Sequence, residues 1–206
     1  MHKVISLYTG AGGLDLGLEA AGLTTTVAVE YNAPACRTLR ANRSDERPWE
    51  VIEGSIHDVS SDEIAAAAGV GVGEAAMLVG GPPCQPFSKS AYWARGDTKR
   101  LNDPRADTLT AYLRVLRDLQ PKAFLLENVF GLTYKGKDEG LSLLLNTIQN
   151  INKEVGTNYS FQWKVLNTAN YGVPQIRERF FLVGVRDGTE FVFQSRPMQK
   201  RRTSPH

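Results

Sequence analysis

An apolar run at residues 4–8 gives way to Thr9-Gly10-Ala11-Gly12-Gly13, after which Leu14, Leu16, Leu18 and Ala21 recur on a helical pattern that Gly22 closes. Glycine reaches backbone conformations that other residues avoid, so a strand running into this cluster can turn sharply at a sheet edge and enter a helix at once. Strand, glycine-rich turn and helix form the opening of a nucleotide-binding α/β sheet. The alternation continues down the chain. Strands are expected at residues 26–30, weakly at 51–52, and at 76–79 and 123–127. Between them, Asn32 caps a helix carrying Ala35, Leu39 and Ala41, an alanine-rich helix covers residues 62–68, and Asp107 caps a helix with Leu109, Tyr112, Leu113, Leu116 and Leu119 on one face that Pro121 ends. A helix over residues 139–155 precedes two last strands, at residues 161–166 and 180–185, expected as a hairpin-like pair at the sheet edge. Strands that alternate with helices pair in parallel, which predicts an α/β, Rossmann-like fold with a mostly parallel sheet of about seven strands and helices on both faces.

The chain has 206 residues, enough for one domain with a large core and short for two. We expect one catalytic domain over residues 1–195 and a disordered basic tail over 196–206, where Arg196, Lys200, Arg201 and Arg202 stand without an acidic residue. With 24 Lys plus Arg against 22 Asp plus Glu, the net charge of +2 announces no polyanion partner, so a nucleic-acid face would have to be local. No apolar run approaches the roughly 18 residues that span a bilayer. Met1-His2-Lys3 leads straight into the first strand, so the expectation is a cytoplasmic protein. Two cysteines, Cys36 and Cys84, do not make a disulfide framework, and no metal site is expected.

Residues 78–88 read Leu-Val-Gly-Gly-Pro-Pro-Cys-Gln-Pro-Phe-Ser. The strand ends in two glycines and then two prolines, which fix φ and remove backbone donors, so Cys84 is presented on a stiff turn at the sheet edge. A thiol reacts as its thiolate and needs partial exposure in a field that lowers its pKa; Cys84 has that setting and Cys36 does not. Glu127, in Phe124-Leu-Leu-Glu127-Asn128-Val129, stands just after four mostly apolar strand residues. A buried carboxylate is costly unless paired or protonated, so its position suggests a raised pKa and a task, although a Glu-Asn pair can also simply close a strand. Gln175-Ile-Arg177-Glu-Arg179 puts two guanidinium forks on one face of an extended segment, a pattern that can equally protect an edge strand. Glu30 stands near the spacing at which an acidic residue bonds ribose hydroxyls. Gly10-x-Gly12 meets two positions of the dinucleotide fingerprint, but the third falls on Asp15, which counts against NAD. Residues 85–105 lose regular patterning and interleave Lys89, Arg95, Lys99, Arg100 and Arg105 with Phe87, Tyr92 and Trp93; this is either a charged surface loop or a lid over an extruded base.

Taken together, these stretches resemble the DNA cytosine-5 methyltransferase family from Val4 to about Arg186. The resemblance implies a Rossmann-like, S-adenosylmethionine-dependent enzyme acting on double-stranded DNA. Cys84 would attack C6 of a flipped-out cytosine, Glu127 would hydrogen-bond N3, and Arg177 and Arg179 would hold the base and the glutamate. The cofactor would lie against Tyr8, Gly10, Gly12, Gly13, Glu30, Ile56 and Pro82. Where the family usually places Asp to accept the adenine amino group, this chain has Ser55, so Ser55 or Asp58 is expected to take that contact. Pro83, Gln85, Ser88, Asn128 and Gln175 would face the substrate; Asn167 and Tyr171-Gly172-Val173-Pro174 also match the family pattern and would shape the approach to it. The family continues into a target-recognition region and a last motif that completes the cofactor pocket, so the expectation is a split enzyme with a second polypeptide, a truncated form, or part of a longer chain. A tRNA cytosine-5 methyltransferase, or a non-catalytic cofactor-binding or DNA-binding remnant, remains as an alternative.

Overall fold

The computed structural model describes residues 2–83, 107–130 and 139–194. Cys84, Gln85, Ser88, the basic and aromatic residues up to Arg105 and the basic tail lie outside the described residues. The first strand, β1 (Lys3–Leu7), ends in the glycine cluster and is followed by α1 (Gly13–Ala20) and β2 (Thr24–Glu30). Asn32 caps α2 (Ala33–Ala41) through its side-chain oxygen, which accepts from Ala35 N at 3.0 Å. Next come β3 (Glu50–Glu53), α3 (Ser61–Ala68), β4 (Met77–Gly80), α4 (Asp107–Leu119), β5 (Ala123–Val129), α5 (Glu139–Val155), β6 (Ser160–Asn167) and β7 (Glu178–Val185). Ser60, outside the predicted helix, caps α3 and moves its start forward to Ser61.

Among the described residues the strands form one sheet in the order β3-β2-β1-β4-β5-β7-β6. The first five pair in parallel, whereas β7 runs antiparallel to both β5 and β6. The last two strands do pair, but β7 inserts between β5 and β6 and so brings its start beside the end of β5, with Val129 opposite Arg179. Close packing secures the insertion: a Cβ on Gly184 would sit 2.1 Å from the Phe124 ring. One face of the sheet, carrying Ile5, Leu7, Val27, Val29, Leu78, Phe124 and Leu126, is buried with Ile64 of α3, Leu116 of α4 and Leu144 and Ile148 of α5. On the other face Ala28 and Val51 pack with Cys36 and Leu39 of α2 and with Trp49. Strand order reverses on the two sides of β1, the switch point at which such sheets leave a crevice outside the carboxyl ends of their strands. No described helix is long and apolar enough to cross a membrane.

Candidate active site

The crevice begins at the glycine turn. Gly10 and Gly12 have φ of 58° and 85°, a left-handed conformation that favours glycine, and a Cβ on Gly12 would sit 2.9 Å from Trp49. At Gly10 and Gly13 a Cβ would meet nothing within 4 Å, so the backbone there is open to a close approach. Tyr8 also has a positive φ, 55°, strain of about 1–3 kcal/mol that the surroundings must hold in place. Its hydroxyl donates to Thr108 O of α4 at 2.6 Å. Glu30, almost fully buried at the end of β2, accepts from Gly10 N and Asn32 N, each at 2.8 Å. The carboxylate thus fixes the glycine turn to the start of α2.

Outside these strand ends lies a cavity of about 290 Å³, lined by Tyr8, Val29, Glu30, Tyr31, Gly54, Ser55, Ile56, His57, Pro83 and Thr108. Its size is near the lower end of small-molecule sites, and its rings, aliphatic groups and few polar atoms suit a nucleoside. Of the expected cofactor contacts, Tyr8, Glu30, Ser55 and Ile56 line it, while Gly10, Gly12, Gly13, Asp58 and Pro82 do not. Ser55 is held in a tight turn: its carbonyl accepts from Asp58 N at 2.9 Å and Val59 N at 3.2 Å, and its hydroxyl from His57 N at 3.3 Å. Sequence reasoning missed Tyr31, His57 and Thr108. Tyr31 directly follows Glu30, which is a usable signal; Thr108 reaches the site only through the fold.

A second group converges at the ends of β4 and β5. Glu127 projects under the turn that leads to Cys84, since a Cβ on Gly81 would lie 3.2 Å from its Oε2. Arg179 Nε donates to Glu127 Oε1 at 2.9 Å. Burial pushes the Glu127 carboxyl above the ordinary glutamate value, and the charges of Arg179 and Arg177 pull it back. Asn128, buried, donates from Nδ2 to Pro82 O at 3.2 Å, and Thr108 Oγ1 donates to Pro83 O at 3.1 Å. Both prolines before the cysteine are therefore tied to the scaffold. Gln175 and Arg177 lie on an exposed segment ahead of β7, braced by Thr168: its hydroxyl donates to Gln175 O at 2.5 Å and its amide to Arg177 O at 3.0 Å. The antiparallel insertion of β7 is what carries this segment to the site.

Asp15, the residue that breaks the dinucleotide pattern, turns inward in the first turn of α1 and is 1% exposed. Its Oδ1 accepts from Thr25 Oγ1 at 2.8 Å, while Oδ2 has no partner among the described residues.

This arrangement has counterparts. A family model described as C-5 cytosine-specific DNA methylase matches residues 2–205. The chain is 42% identical over 193 residues to type II methyltransferase M.AquIA of a Picosynechococcus species, covering 93% of this chain and 75% of that one. It is 40% identical over 202 residues to type II methyltransferase M.SacI of Streptomyces achromogenes, covering 92% of this chain and 49% of the relative. The chain thus spans three quarters of one relative and about half of the other. Among solved structures, the Entamoeba histolytica methyltransferase EhMeth superposes with a TM-score of 0.68 at 22% identity, over 97% of this chain and 57% of that one. DNMT2 of Spodoptera frugiperda, as an E260A/E261A/K263A mutant, gives 0.65 at 24% identity, over 100% and 58%. At those identities the likeness shows a shared fold.

Proposed function

Because the chain belongs to the C-5 cytosine-specific DNA methylase family, we propose that it works as a DNA (cytosine-5-)-methyltransferase, with residues 1–195 as its catalytic domain and double-stranded DNA as its partner. The observation that carries the reading is Glu127, a carboxyl raised by burial, ion-paired with Arg179 and set directly beneath the turn that leads to Cys84. We assign the adjoining cavity to S-adenosylmethionine. Tyr8 and Ile56 would flank its adenine, Ser55 would meet the edge of that ring, Glu30 would reach its ribose, and the open backbone at Gly10 and Gly13 would receive its methionine part. When bound, that cofactor supplies an electrophilic methyl group.

The chain's own residues make cytosine able to accept it. The Cys84 thiolate adds to C6 while the protonated Glu127 carboxyl donates to N3, so that the electron pair displaced from the C5–C6 bond makes C5 nucleophilic. Arg179 orients Glu127, and Arg177, with a planar charged fork, suits the O2 edge of the base. Loss of the C5 proton then expels the thiolate and restores the double bond. A stacked base cannot reach such a site, so the cytosine would have to be flipped out of the duplex; Gln175, on the exposed segment ahead of β7, would line its path, whereas buried Asn128 would act by holding Pro82 in place.

The test is transfer of labelled methyl from S-adenosylmethionine to DNA. Cys84→Ala should abolish transfer and leave donor binding largely intact. Substantial residual transfer would refute the assignment.

A further inference from the structure

Helix α4 touches the proposed donor cavity twice, and only one contact belongs to its wall. Thr108, in its first turn, lines the cavity directly. Arg114, two turns on and half-buried, does not line it, yet its guanidinium is committed to the turn that does. Arg114 Nη2 donates to Ile56 O at 2.8 Å and to Val59 O at 3.0 Å, and Nη1 donates to Ser61 Oγ at 3.3 Å. Ser61 in turn donates to Asp118 Oδ2 at 2.6 Å, one helical turn beyond Arg114. Gly54, Ser55, Ile56 and His57, which form one wall of the cavity, all lie on this turn or immediately before it. The inner side of the turn is closed by its own amides, with Asp58 N and Val59 N both donating to Ser55 O. Its carbonyls at Ile56 and Val59 are the ones that accept from Arg114.

We infer that Arg114 is a positioning residue for the methyl-donor site: it sets the pitch of the turn at residues 54–60 and so holds Ser55 and the Ile56 side chain in register with Tyr8 and Glu30. A planar fork that bridges two carbonyls and a hydroxyl at once is a task for arginine, since the lysine ammonium is a compact charge on a flexible stem. Arg114 lies far along α4 from Thr108, the residue that holds Pro83, so its effect falls on donor binding and leaves the chemistry at Cys84 and Glu127 in place. This inference rests on the assignment of the cavity to S-adenosylmethionine.

The experiment is calorimetric titration of the whole chain with S-adenosylmethionine, with a thermal melt of each variant. Arg114→Ala is expected to weaken donor binding by about tenfold or more. Millimolar methylguanidinium should recover part of the loss and methylammonium should not. Arg114→Lys keeps charge and stem if the alanine variant folds poorly, and is expected to bind the donor several-fold more weakly than wild type. Arg40 also bonds a carbonyl of β3, Val51 O, and pairs with Glu53, but does not line the cavity. Arg40→Ala should therefore lower the melting temperature with donor affinity unchanged. In active preparations, Arg114→Lys should raise KM for the donor and leave kcat within about twofold. Wild-type affinity in both Arg114 variants, or an equal loss in Arg40→Ala, overturns the inference. A wild-type chain that binds no donor overturns the cavity assignment, and the inference falls with it.

Discussion

Glu127 stands between opposed influences: burial favours its neutral form, and Arg179 and Arg177 favour the charged one, with burial the larger. The proposed chemistry needs the neutral carboxyl, so kcat/KM should fall as pH rises through that elevated pKa. Arg179→Met removes the first of the two opposing charges and should move this descending limb to higher pH while lowering the rate; a limb displaced to lower pH would contradict the account. Glu127→Gln, which cannot give up a proton, should lose about 10²–10⁴-fold in rate. Asp15 shows burial acting on stability. Its carboxyl is raised by desolvation, with Thr25 and Ser6 pulling back. A raised folded value means that its contribution is full below the ordinary aspartate range and is lost as pH rises through the folded value. Asp15→Asn should therefore be more stable than wild type at pH 8, by on the order of 1 kcal/mol or roughly 2–4 °C, and the advantage should vanish toward pH 4. Thermal melts across that range check it; a uniform loss at every pH would contradict it.

Among the elements, β7 does the most to assemble the site. Its antiparallel run between β5 and β6 sets Arg179 beside Val129 and Glu127, and Gly184 permits this because Phe124 fills the space a side chain would need. Gly184→Ala should destabilise the fold by about 3 kcal/mol or more, at the upper end of overpacking costs, read as a large fall in melting temperature. An unchanged melt would show that the strand can shift. The alternating pattern, the glycine turn and the Glu127 strand end were legible in the sequence because each is local: periodicity, φ constraints and the cost of a buried acid all act over a few residues. The insertion of β7 was not, since an antiparallel strand after a parallel run is chosen by long-range pairing. For the same reason Ser61, Thr108 and Arg114 carry no local signal; their partners lie 25 to 100 residues away. Ser55, standing where the family usually places aspartate, was visible as a departure, and only the turn geometry separates Ser55, on the cavity wall, from Asp58, off it.

For the molecule as a whole, the carboxyl edge of the sheet gathers Tyr8, Glu30, Pro83 and Glu127, which is why the proposed chemistry falls on that one edge. The switch point at β1 explains why: the glycine turn beside the proposed donor cavity and the turn at residues 81–83 leave adjacent strands, β1 and β4, in the same direction. The most direct test is a covalent trap. DNA with 5-fluorocytosine at the target position can accept a thiolate at C6 and a methyl group at C5, but cannot then lose fluorine as a proton is lost, so elimination stops. With S-adenosylmethionine present, the chain should form a stable protein–DNA adduct whose peptide mass places the link at Cys84, and Cys84→Ala should form none. An adduct at another residue, or methylated DNA produced by Cys84→Ala, would contradict the account.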